Sequence, residues 1–284
     1  MKRMRILGLA LVAVFALGAI TVASASATPA FYECKKESSK TEGKFSKGCT
    51  AAGTGYELAP GVGSKGKGFK SSGANAHLEV VVPPGVSKEF EGGATIKIEC
   101  TSNKGVGSDV LPNKVDKVKT TFKGCSTLGN PCQSGSKKGE IITNELAGEL
   151  VDTEYGVGQV LGPETGLTSA TFTCTGIATT NVHGSLIGLV KGDVNTISKE
   201  SETEFIVGPG LGAVPYVAEN SKKETKISTY VPTVNVPTDK LGGVPGEHFL
   251  DSAIEKEGKP QGELPSGQVQ VVKNKGEAIE IKAP

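Results

Sequence analysis

The chain has 284 residues, with 31 Lys and Arg against 30 Asp and Glu, and only 5% of it is aromatic. Its two arginines, Arg3 and Arg5, both lie within the first five residues, and there is no Trp. A near-neutral chain that otherwise lacks Arg has no basic surface for a phosphate backbone, which excludes nucleic acid as the expected partner.

The first 27 residues have the three parts of a secretory signal peptide. A basic head, MKRMR, precedes the 15-residue apolar run ILGLALVAVFALGAI, and the small residues Ala25 and Ala27 follow it. The sequence predicts cleavage after Ala27 and a mature chain that starts at Thr28. An uncleaved membrane anchor is the alternative, although a spanning helix needs about 20 apolar residues. We therefore expect a secreted protein, extracellular or cell-wall-associated, with no membrane segment after cleavage.

The segments after the signal peptide suggest a small module and a linker. Residues 28–59 are polar and contain two cysteines, Cys34 and Cys49, which predicts a small disulfide-bonded N-terminal module. Residues 60–73, PGVGSKGKGFKSSG, are rich in Gly, Ser and Lys, which is typical of a flexible linker. The linker contains GVGSKG, a match to G-x-G-x-x-G, but no helix is expected after it to hold a pyrophosphate.

Residues 74–284 are expected to form the main domain, because apolar and polar residues alternate at period two in many stretches. In KVKTTFKG, for example, Val118, Thr120 and Phe122 share one face. β-Branched residues dominate, and turn residues recur every eight to twelve positions. The sequence therefore predicts an all-β fold, an antiparallel sandwich or barrel. Two Gly/Pro-rich stretches, 208–215 and 231–246, are expected to interrupt its last third.

All six cysteines lie beyond the predicted cleavage site, which favours a disulfide framework in an exported chain. Fifteen connectivities are open to six cysteines. Local context favours these pairs: Cys34 with Cys49, Cys100 with Cys174, and Cys125 with Cys132. The six residues between Cys125 and Cys132 are too many for a paired zinc ligand, and the turn GNP between them is unlike the C-x-x-C of a redox site. No metal or cofactor site is expected.

Catalytic patterns are weak. His183 and Ser185 are two residues apart, as same-side neighbours in a strand would be, but no G-x-S-x-G accompanies them. Asp193 and Asn195 could offer calcium oxygens, although the spaced acids of an EF-hand loop are missing. An acidic stretch could serve a glycosidase, and its members are Glu140, Glu145, Glu149, Asp152 and Glu154. These acids are more simply explained as a solvated sheet face, so no catalytic residue is assigned.

One ordered series of motifs resembles a known group of proteins. The series runs IEC, VDKVKTTFKGC, PCQS, GEIITNELAGEL, VGQVLGPETG, FTCTG and HGSLIGLVKGDVN, and GCTAAGTGYELAPG precedes it while GEAIEIKAP ends the chain. This progression resembles a set of secreted actinobacterial proteins of unknown function. The resemblance implies export and a β-rich fold. It supplies no activity, ligand or catalytic residue.

These observations together favour a non-enzymatic, extracellular or cell-wall-associated binding or structural module. Its partner is expected to be a cell-wall glycan or an extracellular protein. One alternative is a carboxylate-based extracellular hydrolase. Another is a protease inhibitor that presents residues 125–132 as a rigid loop. Such a loop would lose little conformational entropy on binding, because it is already ordered.

Overall fold

The computed structural model describes residues 29–39, 41, 43–61, 66–82, 93–110, 112–153, 156–192, 194–207, 216–220, 223–226, 251–256 and 259–283. The predicted signal peptide and both Gly/Pro-rich stretches lie outside these ranges. Within the described ranges, no helix has the length and apolar character needed to cross a membrane.

The described part of the chain forms eighteen β-strands. In chain order they are β1 Ala30–Lys36, β2 Tyr56–Pro60, β3 Lys67–Val82, β4 Ala94–Val110, β5 Lys114–Lys123, β6 Ser126–Thr127, β7 Asn130–Gln133, β8 Glu140–Ile142, β9 Leu146–Thr153, β10 Gly156–Pro163, β11 Thr168–Cys174, β12 Ala178–His183, β13 Leu186–Lys191, β14 Ile197–Val207, β15 Tyr216–Asn220, β16 Lys223–Lys226, β17 Asp251–Lys256 and β18 Lys259–Lys282.

Eight of these strands close into an antiparallel barrel. Around the ring, β3 pairs with β4, β4 with β5, β5 with β9, and β9 with β10. The ring continues from β10 to β13, β14 and β18, and it closes where β18 returns to β3. Of the two architectures expected from the sequence, the structure is therefore the barrel. Closure removes the exposed strand edges that would otherwise invite aggregation.

A second sheet covers one end of the barrel, which we call the upper end, where β5 ends and the barrel part of β18 begins. This sheet, the cap, consists of β7, β11, β12, β17 and the first residues of β18, before Ser266. Ala170, Phe172 and Val182 of the cap line the same cavity as residues of the barrel wall. The cap thus closes the upper end.

The predicted alternation on β5 is confirmed. Val118 and Thr120 are buried, and Phe122 lines the barrel interior with them. After Asn144, the chain returns to the core at Leu146, which is buried. Period-two patterning places one set of side chains in the lumen and the other on the surface.

The N-terminal segment is joined to the barrel. Strand β1 pairs with the end of β18, with Ala30 opposite Lys282, and also with β2. Strand β3 begins at Lys67, so residues 67–73, which the sequence analysis assigned to a linker, are the start of a barrel strand. The Lys67 ammonium lies 2.6 Å from the Glu277 carboxylate of β18. Gly68 and Lys70 lie on the exposed face of this strand, and their residue types led to the wrong prediction of a linker.

The structure contains three disulfides, and only Cys34–Cys49 has the expected pairing. The other two join Cys100 to Cys125 and Cys132 to Cys174, so the expected pairs 100–174 and 125–132 are wrong. Strand register explains the difference. Cys132 lies directly opposite Cys174 between β7 and β11. Continuing the β4–β5 register past Ser102 and Lys123 places Cys100 opposite Cys125. Three disulfides are typical of proteins in an oxidising, extracellular environment.

Candidate functional site

A cavity lies inside the barrel, under the cap. It has a volume of about 100 Å³. Apolar side chains make up most of its wall, among them Phe69, Val118, Leu161, Leu186 and Phe205. An antiparallel barrel of eight strands has an interior that side chains fill or that encloses one small ligand. The volume left unfilled here makes this lumen the candidate binding site.

Polar side chains interrupt the apolar wall, and its three glutamines take part in two hydrogen-bonded pairs. The Thr203 hydroxyl donates to Gln159 Oε1 at 3.1 Å, and both residues are buried. On β18, Gln268 Nε2 donates to Gln270 Oε1 at 2.6 Å. Each bond occupies the amide oxygen of a buried glutamine. The Nε2 groups of Gln159 and Gln270 form no hydrogen bond with the described residues and remain as donors.

The lumen carries no formal charge at neutral pH. Among its described lining residues none is Asp, Glu, Lys or Arg, and His77 is its one titratable side chain apart from the bonded Cys100. Burial lowers the pKa of His77, and the Lys97 ammonium lowers it further, against the opposing effect of Glu79 and Glu99. His77 is therefore neutral at pH 7, because its pKa lies below the ordinary value of 6.5.

Gly188 shapes the wall between the two glutamine pairs. Across β10, β13, β14 and β18, the register aligns Gln159, Gly188, Phe205 and Gln270. A Cβ atom at Gly188 would lie 2.6 Å from Phe205 Cδ1 and 2.7 Å from Thr203 Cγ2. The missing side chain lets the Phe205 ring lie flat against the wall, with one glutamine on either side of it along the row.

The lower end of the barrel, opposite the cap, contains a buried carboxyl group. Asp109 lines a second cavity of about 30 Å³, and Phe69 and Asn274 line both this cavity and the lumen. Burial raises the pKa of Asp109 from 3.8 to about 7. Lys199, Glu200 and Glu277 also line the small cavity, but desolvation is the cause of the shift. Burial at this position therefore disfavours the charged form of Asp109.

Strand β4 contains an enclosed amide, that of Asn103. Asn103 is 1% exposed, and neither its Nδ2 nor its Oδ1 has a hydrogen-bond partner. It lies opposite Phe122 on β5 and Gly73 on β3, so its side chain is on the lumen side of β4. Such an unsatisfied buried group is uncommon in native proteins and calls for an explanation.

The catalytic patterns considered from the sequence do not come together in the described residues. The Ser185 hydroxyl is buried without a hydrogen-bond partner, so His183 is not its base. Glu140 pairs with Lys137 at 2.7 Å on the surface. Glu145 and Glu149 do not line the lumen. The side chains of Asp152 and Glu154 are not among those that the structure describes.

The remaining motifs have structural positions where they are described. Gly66, which ends GVGSKG, leads into strand β3 rather than a helix. Asn195 Oδ1 accepts a hydrogen bond from the Ala283 amide at 3.0 Å, which ties the loop to the C-terminal strand. Among the described residues, no group of three or more His, Cys, Asp or Glu could hold a metal ion.

Residues 125–132, the loop of the protease-inhibitor alternative, form a tight hairpin. Leu128 and Gly129 form its two-residue turn, with φ angles of 49° and 77°. Two positive φ values are typical of a type I′ turn. The two cysteines that flank this turn bond outward, to Cys100 and Cys174, rather than to each other. The loop therefore lacks the disulfide frame on which that alternative depended.

Comparisons with models of protein families, with curated proteins and with solved structures found no match to this chain. Sequence reasoning missed the lumen because its three glutamines, Gln159, Gln268 and Gln270, come from two strands far apart in the chain and form no motif. The only sequence signal was the pair of glutamines at alternate positions in QVQVVK.

Proposed function

We propose that this protein is a non-enzymatic, exported binding protein that holds a small, mainly apolar ligand in the lumen of its barrel. The observation that supports this is the cavity of about 100 Å³ under the cap. A dry apolar cavity of about 150 Å³ binds benzene. The ligand that fits this conformation is therefore no larger than a small ring or a short chain.

The architecture suits retention of such a ligand outside the cell. Strand closure and the disulfides hold the wall, and Cys132–Cys174 joins two strands of the cap itself. Export after cleavage at Ala27 is part of the proposal, and N-terminal sequencing of the secreted protein should give Thr28. An intact Met1 on the secreted protein would contradict it. Binding of a cell-wall glycan or an extracellular protein stays a prediction about the outer surface.

The experiment uses the mature protein with methylenecyclohexane as the probe, followed by ¹³C-methyl NMR. We expect saturable shifts of the Val118, Leu161 and Leu186 methyl groups, which line the lumen. Ala76→Leu should abolish them because Ala76 lines the lumen, whereas Ala74→Leu, on the exposed face of the same strand, should not.

Two results would contradict the proposal. One is the absence of lumen shifts at probe saturation. The other is unchanged binding in Ala76→Leu with a folded spectrum. If Ala76→Leu does not fold, Ala170→Leu blocks the same cavity from the cap side and serves as the second variant.

A further inference from the structure

The lumen is mainly apolar, and two of its glutamines keep an unused hydrogen-bond donor. Both pairs of polar side chains use a glutamine oxygen as the acceptor, at 3.1 Å from Thr203 Oγ1 and at 2.6 Å from Gln268 Nε2. Each pair leaves the Nε2 group of the accepting glutamine, which can only donate, and the second pair also leaves Gln268 Oε1 as an acceptor. Gln159 is 6% exposed and Gln270 is 5% exposed, but neither Nε2 atom is among the fully buried atoms without a partner. These two donors are therefore accessible to a hydrogen-bond acceptor in the lumen.

The same wall disfavours a charged ligand. No described lining residue carries a formal charge that could pair with an ionic ligand, and His77 is neutral. Transfer of an unpaired ion into such a site costs far more than transfer of a neutral polar group.

We propose that the lumen ligand is an uncharged, ring-sized molecule with a carbonyl or similar hydrogen-bond acceptor, which the Nε2 groups of Gln159 and Gln270 bind. This inference rests on the proposed function. The register row places these two amides on either side of the Phe205 ring. An apolar ring lies against Phe205, and its acceptor meets an amide at the edge. Carboxylates and ammonium ions are rejected.

The test compares four probes of similar size on the mature protein. They are cyclohexanone, its isosteric hydrocarbon methylenecyclohexane, the cation cyclohexylammonium and the anion cyclopentanecarboxylate. We expect both neutral probes to bind and both ions to bind undetectably at the same concentrations. The carbonyl stretch of bound cyclohexanone should move to a lower frequency than in a hydrocarbon solvent, because an N–H group donates to it.

Two variants separate the hydrogen bond from the cavity. In Gln159→Leu or Gln270→Leu, the affinity for cyclohexanone should fall by about threefold to tenfold, the effect of one neutral hydrogen bond. The affinity for methylenecyclohexane should stay or rise in the same variant. Ala74→Leu, on the exposed face of β3, is the control that should change neither affinity.

The outcomes distinguish this inference from the proposed function, the binding of a small ligand in the lumen. If the hydrocarbon binds but cyclohexanone affinity and its carbonyl stretch are the same in both glutamine variants as in the wild type, the inference is wrong and the binding function stands. Comparable binding of either ion would also overturn it. If neither neutral probe enters the lumen, the proposed function itself fails.

Discussion

Asp109→Asn should remove a pH-dependent loss of stability that the wild-type barrel suffers. The folded protein keeps the Asp109 proton up to about pH 7, whereas the unfolded chain releases it near the ordinary pKa of 3.8. The folded state therefore binds more protons between these two values, so the free energy of unfolding falls as the pH rises through that window. Above it the penalty is fully present, and Asn, which cannot ionise, avoids it.

The size of the effect follows from the shift. The difference between 3.8 and about 7 corresponds to an upper limit of about 4 kcal/mol at about 1.4 kcal/mol per pKa unit. Because Asp109 as a whole residue is only half-buried, water reduces the penalty, and we expect about 2–4 kcal/mol. At pH 8.5, Asp109→Asn should be more stable than the wild type by that amount, and near pH 4 the two should be nearly equal.

Urea unfolding with the disulfides intact, at pH 4, 5.5, 7 and 8.5, measures the difference between the two proteins. All other titrating groups cancel in this difference. Glu99→Gln, whose side chain is 70% exposed on the same strand, is the control and should show a small, flat difference. A difference for Asp109→Asn that does not change with pH, or that shrinks as the pH rises, would refute the reasoning.

Three further predictions concern the disulfides and the wall. After cleavage at lysines without reduction, peptide 124–137 should stay joined to the two peptides that carry Cys100 and Cys174, and a peptide free of partners would contradict the pairing. Replacing both Cys132 and Cys174 by Ala removes a disulfide between residues 42 apart in the sequence. This change should lower the free energy of unfolding by about 4 kcal/mol in urea titrations. Gly188→Ala should cost about 1–3 kcal/mol by overpacking and weaken probe binding, whereas Gly135→Ala, with open space around it, should be neutral in both assays.

Local patterns were sufficient to predict the strands but not their partners. The alternation in KVKTTFKG correctly placed Val118, Thr120 and Phe122 on one buried face. Closure of the barrel depends on β18 pairing with β3, about 200 residues earlier in the chain. No local propensity encodes that contact, because it follows from the packing of all eight strands together. This is why barrel and sandwich could not be separated from the sequence.

The cysteine pairing shows the same limit for individual side chains. The sequence places Cys125 and Cys132 close together, and the structure agrees, because the Cys132 amide donates to the Cys125 carbonyl at 3.0 Å. Proximity of the backbone does not decide which side chains bond, since each cysteine also lies opposite another one across a neighbouring strand. The register of β4 and β11, fixed by the whole sheet, selects those partners.

Stability and binding make opposite demands on Gln159, and this conflict gives the most direct sign of function within the lumen. Gln159 Nε2 has no partner among the described residues but is not fully buried, so it costs at most the roughly 1–3 kcal/mol of a wholly buried unpaired donor, and an apolar side chain of similar shape would avoid that cost. Gln159→Leu alone would leave the Thr203 hydroxyl unpaired, because it donates to Gln159. The paired change Gln159→Leu with Thr203→Val removes both polar partners, so the ligand-free protein should be as stable as the wild type or more stable by up to about 2 kcal/mol. The same protein should lose part of its affinity for cyclohexanone. If urea unfolding instead shows a loss of more than about 1 kcal/mol, the pair is there to hold the barrel together, and the argument that these amides serve a ligand fails.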